Sequence, residues 1–132
     1  MKIGRIVIAS AALAASTAGV AAQDTGDPAA GEKVFAKCRV CHQIGEGAKN
    51  AVGPELNGVV GREAGSVPGY GYSTANKSSG ITWDEATLKR YLKDPRGVVA
   101  GTKMLFPGLS KEKDVDDVMA YLKQFGPDGK KS

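Results

Sequence analysis

The chain of 132 residues lacks most of what usually holds a small protein together. Its two cysteines, Cys38 and Cys41, are too few and too close together to form a disulfide framework. Its one histidine, His42, leaves a four-ligand zinc site short of nitrogen and sulfur donors, and iron held by two histidines of one chain is impossible. Past the N-terminal segment, no apolar run approaches the roughly 20 residues of a membrane span. There is no internal repeat, and no serine, cysteine or carboxylate arrangement suggests hydrolysis. The formal charge of +4 falls to +2 if Lys2 and Arg5 are removed with a leader, too mild to argue for a nucleic-acid groove.

What is present begins with a segment, 1–22, in the form of a secretory signal: basic Lys2 and Arg5, an apolar run from Ile6 to Val20, and small residues at 20–22. Its removal would start the mature protein near Gln23, on the periplasmic side, as a single domain over 23–132 with no membrane insertion. Of these 110 residues about 36% are apolar and sixteen are glycine, so core-forming material is scarce. Something other than side chains has to complete the core.

Asp27-Pro28 opens a helix expected over 28–38, with Val34, Phe35 and Cys38 at helical spacing. From Gly45 to Gly80 the chain runs 36 residues with nine glycines and no helical or strand period, apart from a short turn of helix near Ser73–Lys77. A compact domain rarely tolerates such a loop unless a ligand organises it. Thr82-Trp83-Asp84-Glu85 has capping-box form and leads a helix through Leu88, Tyr91 and Leu92 to a stop at Asp94-Pro95. Residues 96–109 read as loop. A last helix is expected from Lys111 to Gln124 with Ser110 as its N-cap and an apolar face of Val115, Val118, Met119, Leu122 and Phe125; Gly126-Pro127 ends it, and 126–132 reads as a flexible tail.

Cys38-Arg39-Val40-Cys41-His42 gathers both cysteines and the only histidine. On a helical turn, cysteines three apart project to nearly the same side, so both thiols can add to the vinyl groups of one haem while the next residue reaches the iron. A thioredoxin-like dithiol would follow a strand, and here a helix precedes the pair. A simple disulfide would leave His42, the glycine-rich loop and the missing core without a purpose. For the sixth iron position the mature chain offers two thioethers: Met119 lies on the apolar stripe of the last helix, and Met104 lies in a loop with Gly101 and Gly108 at its ends, which can fold over a haem face.

Residues 31–125 resemble the class I c-type cytochromes, the family of mitochondrial cytochrome c and its bacterial periplasmic relatives. The matching stretches include Gly31-Glu32-Lys33-Val34-Phe35, Gly53-Pro54-Glu55-Leu56-Asn57-Gly58, Pro68-Gly69-Tyr70-Gly71-Tyr72-Ser73, Gly80-Ile81-Thr82-Trp83 and Gly101-Thr102-Lys103-Met104-Leu105-Phe106. The resemblance implies a small all-α cytochrome c fold, three main helices and long loops around one covalently attached haem c. It implies Cys38 and Cys41 as thioether attachments and His42 and Met104 as iron ligands. Pro54 would orient His42 through its carbonyl; Arg62, Tyr72 and Trp83 would donate to a haem propionate; Asn76, Tyr91 and Thr102 would form a polar network beside the Met104 sulfur. Gly31, Phe35, Tyr121 and Leu122 match a crossing of the first and last helices. Ala100 and Gly97 depart from the mitochondrial pattern, which has Pro and Lys there.

With both axial positions filled, the implied function is one-electron transfer and not enzymatic turnover; a gas- or peroxide-binding haem would instead require Met104 to let go. Lys37, Arg39, Lys49, Arg96, Lys103, Lys111 and Lys113 match positions around the exposed haem edge, where cations would steer partners with acidic docking surfaces. A quinol-oxidising complex or dehydrogenase as donor, and a terminal oxidase or reaction centre as acceptor, suit one monomeric diffusing carrier.

Overall fold

The computed structural model describes residues 10–15 and 26–132. Apart from 10–15, the expected leader lies outside the described residues.

Among the described residues five helices follow in order: α1 (Pro28–Phe35), α2 (Thr74–Lys77), α3 (Glu85–Lys93), α4 (Pro95–Val98) and α5 (Glu112–Leu122). No strand occurs among the described residues, only two isolated bridges. Asp27 caps α1 by accepting from the Ala29 N–H at 3.0 Å, and Pro28 occupies the first turn, where its missing N–H costs nothing. This helix stops three residues short of expectation. Beyond Phe35 the amides reach back three residues as well as four, Cys38 to Phe35 at 2.8 Å and Cys41 to Cys38 at 3.0 Å, tightening the chain into turns that lead to His42.

Three other boundaries differ from the sequence expectation, the first two because another partner takes the group. Thr82 does not cap α3: it pairs with Glu63, and Trp83 N–H donates to the Arg62 carbonyl at 2.8 Å, so 81–83 is extended and Asp84 becomes the N-cap, accepting from Thr87. Pro95 ends α3 but begins α4 inside the expected loop, because the Asp94 carboxylate accepts from Gly97 N–H at 3.0 Å. Lys111, not Ser110, precedes α5; no side chain caps that end, and Glu112 and Asp114 supply negative charge to the first turn.

The core is built where α1 crosses α5. Phe35, Val115 and Val118 are fully buried, and the rings of Phe35 and Tyr121 lie 5.2 Å apart. Gly31 makes the crossing possible: a Cβ there would sit 1.9 Å from the Asp117 carbonyl oxygen. The buried Asp117 carboxylate in turn receives the Asp27 N–H at 2.9 Å and the Lys113 ammonium at 2.6 Å, so α5 holds the entry of α1. α3 leans on α5 through Lys89 and Asp116 at 3.0 Å.

The expected flexible tail is folded back instead. Gly126 N–H donates to Lys130, Ser132 N–H to Gln124, and the Lys131 ammonium lies 5.7 Å from the Phe125 ring centre. Gly129 packs so closely on the Gly45 carbonyl that a Cβ would stand 2.3 Å from it. Backbone bonds, which a sequence period does not reveal, hold this turn.

Candidate functional site

The helices and the long loop leave a cavity of about 550 Å³ between them. Phe35, Leu56, Val59, Leu88, Leu92, Val118 and Leu122 give it apolar walls. All eleven residues singled out in the sequence lie in or beside it. All of them line the wall: Cys38, Cys41, His42, Pro54, Arg62, Tyr72, Asn76, Trp83, Tyr91, Thr102 and Met104. Met119 is 1% exposed and belongs to the core cluster, not to the lining.

On one side the His42 ring stands against Gly53, where a Cβ would be 2.4 Å from its Cε1. Its Nδ1 is 2.7 Å from the Pro54 carbonyl oxygen. A carbonyl only accepts, so Nδ1 carries the proton and Nε2 keeps its lone pair. Burial lowers the pKa of the ring, against the opposing effect of the Pro54 bond, which keeps the imidazole neutral and able to ligate. Cys38 and Cys41 are both half-buried at the wall, and burial pushes the unattached Cys38 thiol up to about 11.

On the other side the Met104 sulfur lies 3.9 Å from the Tyr91 hydroxyl, which shares a hydrogen bond of 3.0 Å with Thr102. α3 carries Tyr91, whose ring packs 4.7 Å from that of Trp83. The neighbouring Lys103 ammonium bonds the Gly71 carbonyl and covers the Tyr70 ring at 4.5 Å, tying the Met104 loop to the glycine-rich loop. Arg62 donates to the carbonyls of Asn57 and Glu55 at 3.0 and 3.1 Å and pairs with the Glu55 carboxylate at 3.6 Å. Burial disfavours its charge. Tyr72 accepts from Val67 N–H through its hydroxyl oxygen, so its proton remains to be donated. Asn76 Oδ1 is buried without a hydrogen-bond partner among the described residues.

A neutral imidazole, a thioether, two thiols on one wall and an apolar chamber form a donor set that fits an iron porphyrin, and no zinc or hydrolytic site would need it. The family model for cytochrome c matches residues 28–126. The chain belongs to that family. It is similar to cytochrome c-554 of Methylosinus trichosporium, 58% identical over 98% of this chain and 97% of that protein, and to cytochrome c2 of Rhodoblastus acidophilus, 61% identical over 80% of this chain and 99% of that one. Among solved structures, cytochrome c2 of Rhodospirillum centenum superposes with a TM-score of 0.74 at 43% identity, covering 77% of this chain and all of that one.

This class I c-type cytochrome therefore carries one covalent haem c, for which Cys38 and Cys41 have the required spacing, and it transfers electrons and is not an enzyme. The cytochrome also has features at the cavity that sequence reasoning missed. Val40, Val52 and Leu105 line its mouth yet are 79%, 73% and 82% exposed, an apolar rim beside Lys37 and Lys103. Isolated apolar letters in loops carry no period that would single them out. Outside the lining, Asn50 was missed too: its side chain accepts from Glu55 N–H and donates to the Pro68 carbonyl, and nothing in its sequence neighbourhood announces that.

Proposed function

We propose that this cytochrome is a soluble periplasmic carrier whose haem is held between His42 and Met104, shuttling single electrons between membrane complexes. The observation that carries the reading is that one apolar cavity presents the lone pair of a neutral imidazole and a thioether sulfur from opposite loops. The haem would supply one-electron chemistry at its iron. His42 would bind from one side, kept in tautomer and orientation by Pro54; Met104 would close the other, positioned by Tyr91 and Thr102. The apolar walls exclude water, and thioether ligation favours the ferrous state. Arg62, Tyr72 and Trp83 would meet a propionate that needs donors when buried, and Asn76 would complete the polar network on the Met104 side.

The rim supports a docking role. Lys37, Lys49, Lys103, Arg96 and Lys111 make no ion pair among the described residues, whereas Lys89, Lys93 and Lys113 on α3 and α5 are each paired with a carboxylate. Of these, Lys37 and Lys103 stand at the apolar mouth, and cations there suit brief contact with acidic partner surfaces, such as those of a quinol-oxidising complex and a terminal oxidase or reaction centre. Arg39 counts for less, since it also donates to the Tyr121 hydroxyl at 3.1 Å. Residues 1–22 would direct export and be removed, and the carrier would act as a monomer.

The test is the visible spectrum of the reduced, exported protein before and after carbon monoxide. An unchanged six-coordinate spectrum in the native protein, together with prompt binding in Met104→Ala, is expected. Prompt binding by the native protein would overturn the carrier reading in favour of gas or peroxide chemistry.

A further inference from the structure

The peptide unit joining Pro54 to Glu55 is gripped at both ends. Its carbonyl accepts from His42 Nδ1 at 2.7 Å, and its N–H donates to the Asn50 side-chain oxygen at 3.0 Å. The other end of the same amide, Asn50 Nδ2, donates to the Pro68 carbonyl at 3.1 Å. A continuous file of hydrogen bonds thus runs from the glycine-rich loop through two amides to the imidazole. Every donor in it points the same way, so each bond polarises the next: an amide that donates through its N–H becomes a better acceptor at its oxygen.

From this file we infer that Asn50 is a positioning residue for electron transfer, setting through the Pro54–Glu55 peptide how strongly His42 Nδ1–H is held and hence how electron-rich the imidazole is. The inference rests on His42 being the iron ligand. Asn50 itself touches neither the ring nor the cavity wall. A stronger bond at Nδ1 gives the imidazole more anionic character, which favours the ferric state; removing the Asn50 acceptor must therefore raise the potential. A second cross-loop bond runs beside the file without joining it: Tyr70 OH donates to the Val52 carbonyl at 2.7 Å. It braces the same two loops and leaves the Pro54–Glu55 unit alone, which makes it the natural control.

The experiment uses haem-loaded protein and reads two quantities, the equilibrium with a reference redox mediator and the proton resonance of His42 Nδ1–H in the diamagnetic ferrous state. Asn50→Leu is expected to move the mediator equilibrium about two- to threefold toward reduced protein, the order that 10–30% of cooperative strengthening allows. At 59 mV per tenfold for one electron, threefold is about 28 mV. The Nδ1–H resonance should move upfield and exchange faster with solvent. Asn50→Asp keeps the acceptor while losing the donor to Pro68, so the resonance should return to its native position or pass downfield of it. Tyr70→Phe should lower thermal stability and leave the Nδ1–H resonance unmoved; because Tyr70 lines the cavity, that resonance and not the mediator equilibrium is its control readout. The inference is overturned if Asn50→Leu changes neither readout, or if Leu, Asp and the Tyr70 variant all move the Nδ1–H resonance alike, since Asn50 would then be a loop brace only. If the native protein shows no His42 ring signals shifted by a haem ring current, the ligand assignment fails first, and the two failures are told apart.

Discussion

Gly31→Ala sets two effects of opposite sign against each other, and the structure decides between them. Alanine in place of glycine inside a helix is worth about 0.8–1.0 kcal/mol in its favour. Position 31 lies within α1 with an ordinary helical φ, so propensity alone predicts a more stable protein. The new methyl, however, would sit 1.9 Å from the Asp117 carbonyl oxygen and 2.9 Å from Tyr121 Cβ, and Cβ contacts below 3.0 Å essentially do not occur. The obstacle is backbone of α5, so no rotamer change relieves it. α1 and α5 must part by about an ångström, and a gap of 0.5–1 Å forfeits roughly a quarter to a half of each contact across it. Phe35, Val115, Val118 and Tyr121 meet there, each burial worth about 1.5–3 kcal/mol, so a loss of about 2–4 kcal/mol follows, in line with about 1–3 for overpacked cores and more in stiff ones. After the propensity gain, the net cost is about 1–3 kcal/mol. For a domain near 100 residues this lowers Tm by roughly 5–20 °C.

The assay is thermal unfolding of the haem-loaded protein by circular dichroism; a covalent haem stays on the chain, so unfolding remains independent of free cofactor. Gly71→Ala is the matched control, because its φ is ordinary and nothing lies within 4 Å of the added methyl. There only the unfolded chain's entropy changes, giving about 0.4–1 kcal/mol of stabilisation. A Gly31→Ala protein as stable as the native one, with Gly71→Ala behaving as stated, would refute the close-crossing argument.

Asp117 supplies a pH signature. The N–H of Asp27, and then Lys113, hold its carboxyl below the usual carboxylate range. A folded pKa below the unfolded value of about 3.9 means its contribution is complete above that pH and fades as pH falls through the folded value. The stability gap between native protein and Asp117→Asn should therefore be constant from pH 7 to 5 and close below pH 4; a gap that ignores pH would refute the assignment. Removal of the haem, by Cys38→Ser with Cys41→Ser, should leave a chain that is largely unfolded by circular dichroism: an empty space of about 550 Å³, at about 24 cal/mol per Å³, costs on the order of 13 kcal/mol, near the whole stability of a small domain. A well-folded apo form would contradict this. Electron transfer to an acidic partner should slow as ionic strength rises from 10 mM to 1 M, roughly where the Debye length falls from about 30 to 3 Å, and Lys37→Glu should flatten that dependence. A rate indifferent to salt would reject steering by the rim.

How much of this was legible in the sequence depends on the range of the forces involved. The helix existences were, because Pro28, Asp94-Pro95 and the apolar stripe of α5 act within a turn or two of chain. The haem was, because Cys38, Cys41 and His42 encode their geometry in adjacent positions, and the shortage of apolar residues demanded a foreign core. The boundaries were not. Thr82 has a sound capping pattern, yet Arg62 and Ala64, about twenty residues away, bond its neighbours Trp83 and Ile81 and hold it extended opposite Glu63. The tail looked free because Gly126-Pro127 ends a helix well, while the bonds that fold it back are made by main chain, which every sequence has equally. Asn50 is the extreme case: its partners Glu55 and Pro68 are five and eighteen residues off, and only a fold that brings these segments together turns an ordinary exposed amide into a link of the hydrogen-bond file that ends on His42. The groups proposed to hold the haem were readable because the haem's covalent chemistry restricts them to a few residue types. Those that tune it were not, since any side chain with one donor and one acceptor at the right separation could stand where Asn50 stands, and only the fold sets that separation.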